Sequence, residues 1–182
     1  MGTTARQRRI ENEWLLLEAL QKANPSRLRL TPLLAPTPDS IALEVLGLPA
    51  LAAVPIDPAH PDVHSVHTLR IELPRYYPSM PAEVYLDTPV FHPNVHPDTG
   101  FVCLWATHRI TTSLEQTLAQ LQRVLSWQLV NTSPDHVMQP AALAWYQRPE
   151  VRQYLPLASN SFSPVHSEAW AAPPAVFRRR LS

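Results

Sequence analysis

A short segment near the middle of the chain places a single cysteine close to a histidine and an amide. His92, Pro93 and Asn94 are consecutive, and Cys103, the only cysteine, follows nine residues after the asparagine. The segment between them is rich in turn-forming residues. A cysteine thiolate is a nucleophile, and a side-chain amide can donate hydrogen bonds to it or to a developing charge. The arrangement therefore predicts a covalent acyl carrier that holds its cargo on Cys103 as a thioester.

The size and charge of the chain limit the classes of protein to which it can belong. With 182 residues and 45% hydrophobic content, it is long enough for one domain with a core and too short to make two domains the expectation. The 15 basic residues balance the 15 acidic ones, so no net field would attract nucleic acid or a membrane surface. We therefore expect a protein partner.

The sequence also predicts a cytoplasmic protein in a reducing compartment. One cysteine cannot form an internal disulfide, and residues 1–14 are too charged to serve as a signal-peptide core. The most apolar run, residues 41–55, is too short to cross a bilayer as a helix and is interrupted by Glu44, Gly47 and Pro49. No membrane contact is expected.

Two biases in composition stand out. Fourteen of the 15 basic residues are arginine, and Lys22 is the only lysine. We interpret this bias as codon use in a GC-rich, bacterial genome; the alternative is that a protein handling a lysine-reactive ester avoids lysine. The 21 prolines against three glycines predict loops that proline holds in shape through its fixed φ.

The first half of the chain predicts one helix followed by an antiparallel meander. Over residues 5–23, Ile10, Trp14 and Leu17 form an apolar stripe, with further leucines beside it and charges opposite. Asn24 and Pro25 end this helix. Strand-like stretches separated by proline-rich turns follow at residues 28–30, 41–46, 66–73 and 83–86.

Three histidines occupy the row of turns from residue 55 to residue 67. His60, His64 and His67 could suggest a metal site, but this segment contains no cysteine and no helical frame. We interpret them as solvated loop histidines and expect no metal.

After the cysteine, the apolar spacing changes to three and four residues. A helix is predicted over about residues 113–130, with Thr112 and Glu115 as a capping box at its start. Its apolar face consists of Leu114, Leu118, Leu121 and Leu125. A short second helix is predicted over residues 141–147. Residues 151–182 form an extension rich in proline and serine with a basic end, which either packs on the domain, binds a partner or is a solvated end.

Five groups of residues occur in order along the chain. They are Arg75-Tyr76-Tyr77-Pro78, Met80-Pro81-Ala82-Glu83-Val84, Asp87-Thr88-Pro89-Val90-Phe91-His92-Pro93-Asn94-Val95, Gly100-Phe101-Val102-Cys103-Leu104, and Ser133-Pro134-Asp135 before Ala141-Ala142. Their order and spacing resemble the ubiquitin-conjugating enzyme family from residue 5 to about residue 150. The resemblance implies an α+β fold: an N-terminal helix, a four-stranded antiparallel meander, an active-site cysteine loop and two or more C-terminal helices. Residues 1–150 would be the catalytic domain.

The resemblance implies an enzyme that accepts the C terminus of ubiquitin or a ubiquitin-like modifier from an activating enzyme. Cys103 would carry it as a thioester and pass it to an amine, expected to be a lysine of a target protein. A neutral amine attacks a thioester without metal or cofactor, so no cofactor is expected. Because an unperturbed thiol titrates near pH ~8.5, some thiolate exists at neutrality without a dedicated base. Positioning and oxyanion stabilisation would carry the catalysis.

Two further roles follow from the resemblance. In the family, the asparagine that Asn94 matches supports the active-site loop and is a candidate for stabilising the oxyanion; both roles stay open here. His92 is expected to form a hydrogen bond within the loop rather than to shuttle protons.

Three positions depart from the family pattern. One extra residue separates Asn94 from Cys103, which could change how the asparagine sits. Trp105 stands where many members carry an aspartate, and His136 follows Asp135 where a second acidic or small polar residue is frequent. Asp135 and His136 are the remaining candidates for orienting the incoming amine. Trp105 would either lower the pKa of that amine by excluding water or cap the site.

The residues that the family uses to contact RING-type ligases are also missing. Ser79 follows Tyr-Pro in place of a large apolar residue, and Ser113-Leu114-Glu115 replaces a Ser-Pro-Ala turn. We therefore expect targets to be chosen through the protein's own surface, its C-terminal extension or a tethered partner.

The leading interpretation is a bacterial transferase encoded beside activating and deconjugating enzymes, with antiphage defence as its setting. One alternative is a catalytically silent protein that binds a modifier or forms a scaffold, although the presence of Cys103 argues against it. Another is a thiol hydrolase or peptidase, which would need a histidine paired with the cysteine. His92, His96 and His108 are near in sequence, but nothing orders them as a base.

Overall fold

The helices and strands follow one another in the order that the sequence predicts. The computed structural model describes residues 4–32, 38–57, 59–156 and 162. Its elements are α1 (Ala5–Ala23), β1 (Leu28–Leu30), β2 (Ser40–Leu51), β3 (Val63–Glu72), β4 (Glu83–Leu86), α2 (Leu114–Leu125) and α3 (Pro140–Tyr146), with short 3-10 helices at Pro134–His136 and Pro149–Tyr154. The predicted bounds of α1, β1 and β4 agree with the structure, and the predicted α+β fold class is confirmed.

The four strands form one antiparallel sheet in the order β1-β2-β3-β4. Residues along β2 alternate between buried and more exposed positions, so every second side chain of this strand enters the core. The strand is longer than predicted because it continues to Leu51 through a register irregularity between Leu46 and Ala50. Gly47 lies in this irregularity with φ of +68°, a conformation that glycine adopts without strain.

The helices α1 and α2 pack against one face of the sheet and against each other. Ile10, Leu17 and Leu20 of α1 are buried, whereas Trp14 is only partly buried. The expectation that the charged residues of α1 all face solvent is wrong for Glu13, which is 1% exposed. Its carboxylate is paired with Arg9 at 2.7 Å, which permits its burial.

Helix α2 differs from its prediction at both ends. Its N-terminal capping box consists of Ser113 and Gln116, one residue later than the predicted Thr112 and Glu115. At the other end the helix stops at Leu125 rather than near residue 130, because Trp127 has a left-handed φ of +58°.

The turn after α2 is a Schellman motif. The N–H of Trp127 donates to the carbonyl of Val124, and the N–H of Gln128 donates to the carbonyl of Arg123, both at 2.8 Å. The left-handed position in this motif is usually glycine, and a residue with a side chain there costs about 1–2 kcal/mol. In this chain a tryptophan occupies it.

The description of all three loop histidines as solvated is wrong for His67. Strand β3 begins at Val63, earlier than predicted, and places His67 in the interior with 0% exposure. Its Nε2–H donates to the carbonyl of Leu48 at 2.7 Å, and its burial lowers its pKa. His60, by contrast, lies on the surface and pairs with Asp57 at 2.8 Å.

Two other kinds of site are absent from the part of the chain that the structure describes. No group of three or more histidine, cysteine, aspartate or glutamate side chains there could hold a metal ion. None of the helices in the same part has the length and apolarity needed to cross a bilayer.

Among the described residues beyond position 150, the side chains of Val151 and Phe162 are buried. Val151 belongs to a second apolar cluster with Leu51, Phe91, Trp127, Ala142 and Trp145. Phe162 is buried in the main core, the apolar cluster formed by residues of α1, the sheet and α2. Its N–H donates to Oε1 of Gln122 at 3.1 Å, and its ring centroid lies 5.5 Å from the Arg27 guanidinium. The basic end of the chain lies outside the described residues.

Candidate active site

Cys103 follows a tight hairpin that begins just after Asn94. The N–H of His96 donates to the carbonyl of Phe101 at 2.8 Å, and the N–H of Gly100 donates back to the carbonyl of His96 at 3.0 Å. Inside the turn, Nδ1 of His96 accepts from the N–H of Asp98 at 3.3 Å. The extra residue noted in the sequence is contained in this hydrogen-bonded turn.

The hairpin is attached to the edge of the sheet at β4. The N–H of Leu86 donates to the carbonyl of Gly100, and the N–H of Val102 donates to the carbonyl of Val84, both at 2.9 Å. Gly100 has φ of +71°, and a Cβ atom on it would collide with the carbonyl oxygen of Leu86. Glycine is therefore required here both by the backbone angle and by the close approach of β4.

Asn94 forms two hydrogen bonds with the backbone of Cys103, one through its side chain and one through its own backbone. Its Nδ2 donates to the carbonyl of Cys103 at 2.9 Å, while the N–H of Cys103 donates to the carbonyl of Asn94 at 2.8 Å. Its Oδ1 accepts from the N–H of Asn131 at 2.8 Å. Asn94 is 0% exposed, whereas Cys103 is partly exposed. The backbone of the cysteine is thus fixed while the residue retains access to solvent.

His92 lies entirely inside the protein. Its Nδ1 accepts from the N–H of Asn94 at 3.1 Å, so the imidazole proton resides on Nε2. Burial lowers the pKa of His92 to about 3, which keeps the ring neutral at physiological pH. The ring centroid of Trp127 lies 4.3 Å away, and Nε2 has no hydrogen-bond partner among the described residues. A neutral, buried imidazole of this kind orders the loop and is not exposed for exchanging protons with a substrate.

The turn that contains Asp135 and His136 is connected by hydrogen bonds to the segment that contains Pro93 and Asn94. Both residues are exposed on the 3-10 helix Pro134–His136. Nδ2 of Asn131 donates to the carbonyl of His136 at 2.9 Å, and Asn131 also bonds Asn94. After the turn, the N–H of Met138 donates to the carbonyl of Pro93 at 2.8 Å. Asp135 and His136 are therefore connected to the cysteine segment through two asparagines.

Trp105 follows Cys103 by two residues in the chain. It is partly buried against the main core. The preceding residue is held in place because the Leu104 carbonyl accepts from Nε2 of Gln120 on α2 at 3.1 Å. The backbone that precedes Trp105 is thus held in place, and its side chain is partly enclosed by the core.

The remaining histidines near the cysteine in sequence are engaged elsewhere. His96 caps the hairpin turn, and Nε2 of His108 donates to the carbonyl of Pro78 at 2.9 Å. The latter bond joins the loop that contains Ser79 to the loop that precedes α2. With His92 occupied by Asn94, none of the three is arranged as a base for Cys103.

Sequence reasoning missed three residues of the site. Asn131 links Asn94 to the Asp135 turn, Gln139 accepts the N–H of His92 at 2.9 Å, and Trp127 packs on the His92 ring. Asn131 and Gln139 flank the turn for which the sequence predicts only Asp135 and His136 as site residues. Only their position after α2 could have drawn attention to them.

Comparisons with known proteins bear on the family and the fold of the chain. The sequence model of the ubiquitin-conjugating enzyme family matches residues 57–154, more than half of the chain. A solved structure of a protein assigned as a ubiquitin-conjugating enzyme from Plasmodium yoelii is 18% identical, with a TM-score of 0.56 over 85% of this chain and 91% of that one. A similarly assigned protein from Trypanosoma cruzi is 19% identical, with a TM-score of 0.55 over 81% and 93%.

At these identities the two structures establish the fold alone. A search of curated protein sequences gives no significant match. The family match covers residues 57–154 and so includes every residue of the site described above. The chain belongs to the ubiquitin-conjugating enzyme family.

Proposed function

We propose that Cys103 accepts the C terminus of a ubiquitin-like modifier as a thioester and transfers it to an amine of a target protein, expected to be a lysine. The observation that carries this proposal is the combination of a partly exposed cysteine with a backbone held on both sides by Asn94. Such a residue presents a nucleophile in a fixed position at the surface, where two large proteins can reach it in turn.

The proposed reaction has two steps. In the first, the Cys103 thiolate attacks the modifier thioester on the activating enzyme, a new S–C bond forms, and the activating enzyme's thiolate leaves. In the second, a neutral amine attacks the carbonyl carbon, the Cys103 thiolate leaves, and the amine loses a proton as the amide forms. Neither step needs a metal or a cofactor.

For Asn94 we propose a positioning role. Both ends of its amide are occupied, by the Cys103 carbonyl and by the Asn131 N–H, and the side chain is buried. A direct contact with the oxyanion would require the amide to give up or share these bonds. His92 would support this arrangement through the Asn94 N–H.

For the second step, we propose that Asp135 and His136 orient the incoming amine of the target protein. Both are exposed, and their turn is tied to Asn94 through Asn131. Trp105 would exclude water from the amine, which favours the neutral, reactive form of lysine.

The proposed setting is the cytoplasm of a bacterium, in an operon that also encodes the activating enzyme, with antiphage defence as the process served. It rests on the family resemblance and on the arginine-rich composition. Residues 1–150 would form the catalytic domain. Residues 151–182 would be an extension for choosing partners that starts on this domain, where Val151 and Phe162 are buried.

A charging assay tests the proposed function. The protein is incubated with its activating enzyme, ATP and modifier, and the products are separated with and without reductant. A reductant-sensitive adduct that is lost in Cys103→Ala is the expected result. Absence of the adduct beside a charged activating enzyme would reject the transferase and favour a silent binding protein.

A second assay separates the two roles of Asn94. If the amide contacts the oxyanion, Asn94→Ala should charge normally and discharge slowly onto free lysine. If it positions the loop, as we propose, charging and discharge should fall together, and the thermal stability of the variant should fall with them.

A further inference from the structure

We propose that Trp127 is a positioning residue for the reaction at Cys103, acting through His92 and Asn94. This inference rests on the proposed function, because it concerns how the thiol is held for that reaction. Three observations carry it: the backbone conformation of Trp127, the contacts of its ring, and the chain of bonds that leads from His92 to the cysteine.

The backbone of Trp127 occupies a position where a bulky side chain is unfavourable. It is the left-handed residue of the Schellman motif that ends α2, with φ of +58°. Glycine would form the same turn without the steric cost of a Cβ atom. A large residue held in this conformation indicates that the surrounding structure gains from its side chain.

The ring of Trp127 lies at the centre of an aromatic cluster that includes the imidazole of His92. The residue is 5% exposed. Its ring stacks on Tyr146 at 5.5 Å and 22°, meets Trp145 at 5.8 Å, and meets the imidazole of His92 at 4.3 Å. Because the left-handed backbone fixes where the side chain starts and the cluster fixes where its ring ends, the ring is a rigid support for the imidazole.

His92 transmits this support to the cysteine through hydrogen bonds. Its Nδ1 accepts from the N–H of Asn94, and Asn94 bonds both the carbonyl and the N–H of Cys103. Three consecutive contacts therefore separate the Trp127 ring from the nucleophilic residue. A change in the tilt of the imidazole would shift the Asn94 backbone, and the Cys103 backbone would follow.

A second tryptophan in the same cluster offers a matched control. Trp145 is 3% exposed and packs on Phe91 and on Trp127. Among the ring contacts of the described residues, the one with His92 belongs to Trp127. Trp127→Leu and Trp145→Leu remove the same side chain from the same cluster, but only the first removes the support of the imidazole.

The experiment uses the full chain and measures three quantities: the rate of charging, the single-turnover rate of discharge onto free lysine, and the ¹⁵N shifts of the His92 imidazole. In Trp127→Leu we expect charging and discharge to fall together, each roughly 10- to 100-fold, since misplacement of a reacting group by about 1 Å has effects of that size. We also expect the ¹⁵N shifts to report a mixture of tautomers. Trp145→Leu should keep the Nε2–H tautomer and a discharge rate within about threefold of the wild type, and Trp127→Phe should restore most of the rate.

Trp127→Gly is the control for a folding defect. Glycine removes the ring, but it adopts the left-handed backbone of the turn without strain. Slow discharge with mixed His92 tautomers in this folded variant is the expected result. Wild-type discharge, or equal effects of the two leucine substitutions on discharge and on the His92 shifts, would overturn the inference. If the wild type forms no thioester, the proposed function fails, while the His92 shifts still report whether Trp127 positions the loop.

Discussion

The carboxylate of Glu13 in α1 accepts a 2.7 Å hydrogen bond from the backbone N–H of Leu114, the first residue of α2. An acid at this end of a helix satisfies a free N–H and interacts favourably with the helix dipole. Glu13 also accepts from the Tyr77 hydroxyl at 3.2 Å and pairs with Arg9. Burial, together with the charge of Glu13, raises the pKa of Tyr77 to about 12. One buried carboxylate therefore joins two helices and the loop after β3.

Replacing Glu13 with alanine should destabilise the protein strongly. The substitution leaves the Arg9 guanidinium and the Leu114 N–H without their buried partner, a loss on the order of 3–5 kcal/mol in the free energy of unfolding. Urea unfolding followed by circular dichroism measures it. Glu11→Ala, an exposed site on the same helix, should change the free energy by about 0.5 kcal/mol or less. Similar values for both variants would contradict the structural role of Glu13.

Stability should fall in acid because of His92. Its pKa is about 3 in the folded protein, below the ordinary value of 6.5, so the unfolded chain binds more protons between these values. The free energy of unfolding therefore rises with pH from about 3 to 6.5, and the contribution of His92, on the order of 5 kcal/mol, is complete above pH 6.5. Urea unfolding at a series of pH values between 4 and 8 measures this slope.

The matched variants for this prediction are His92→Asn and His60→Gln. The first should flatten the slope between pH 4 and 6.5, leaving the part due to His67, whose pKa burial also lowers. The second changes a histidine on the surface and should leave the slope above about pH 5 as it is; the hydrogen bond that it removes lowers the pKa of Asp57, which affects only more acidic pH. An unchanged slope in His92→Asn would mean that the imidazole is not buried as described.

The two glycines with positive φ should respond differently to alanine. Gly47 has open space around its Cα, so Gly47→Ala should cost about 1–2 kcal/mol for the left-handed backbone alone. At Gly100 the new methyl group would also meet the Leu86 carbonyl, which adds about 1–3 kcal/mol of overpacking. Unfolding free energies test the difference. Gly100→Ala should in addition slow charging of Cys103, whereas Gly47→Ala should not.

Lys22 is the only lysine of the chain, so it is the only lysine to which the charged protein could transfer the modifier within one molecule. Lys22 lies near the end of α1, beside β1, while the cysteine hairpin lies beside β4 at the opposite edge of the sheet. Three strand spacings alone separate these edges by about 14 Å. We therefore expect the charged protein to keep its thioester without passing the modifier to its own Lys22.

Gels run with reductant, followed by mass spectrometry of any stable adduct, check this prediction. Ala106→Lys places an amine on an exposed site three residues after Cys103 and should produce a stable adduct on the new lysine. An adduct on Lys22 that forms at a rate independent of protein concentration would contradict the prediction, because it would mean transfer within one molecule.

Much of the fold follows from local patterns in the sequence. The period of α1, the capping signals and the proline-rich turns between strands gave the correct element order, because each depends on residues close in the chain. The end of α2 could not be predicted in this way. The apolar spacing continues past residue 125, whereas the backbone turns at Trp127, which is not a residue that usually marks a helix end.

The burial of polar side chains was also beyond sequence reasoning. His67 and Glu13 look like surface residues locally, and only partners distant in the chain, the Leu48 carbonyl and the Leu114 N–H, make their burial favourable. For the same reason, the motif containing Asn94 and Cys103 could be named from sequence, but the contribution of Asn131 could not.

The contact of Phe162 with Gln122 and Arg27 has a consequence for the synthesis of the protein. The main core receives one of its buried aromatic side chains from a residue near the end of the described chain. As the chain leaves the ribosome, α1, the sheet and α2 emerge first and can associate before that side chain exists. A nascent chain halted before residue 162 would therefore leave apolar surface uncovered beside Gln122, where chaperones or proteases could recognise it.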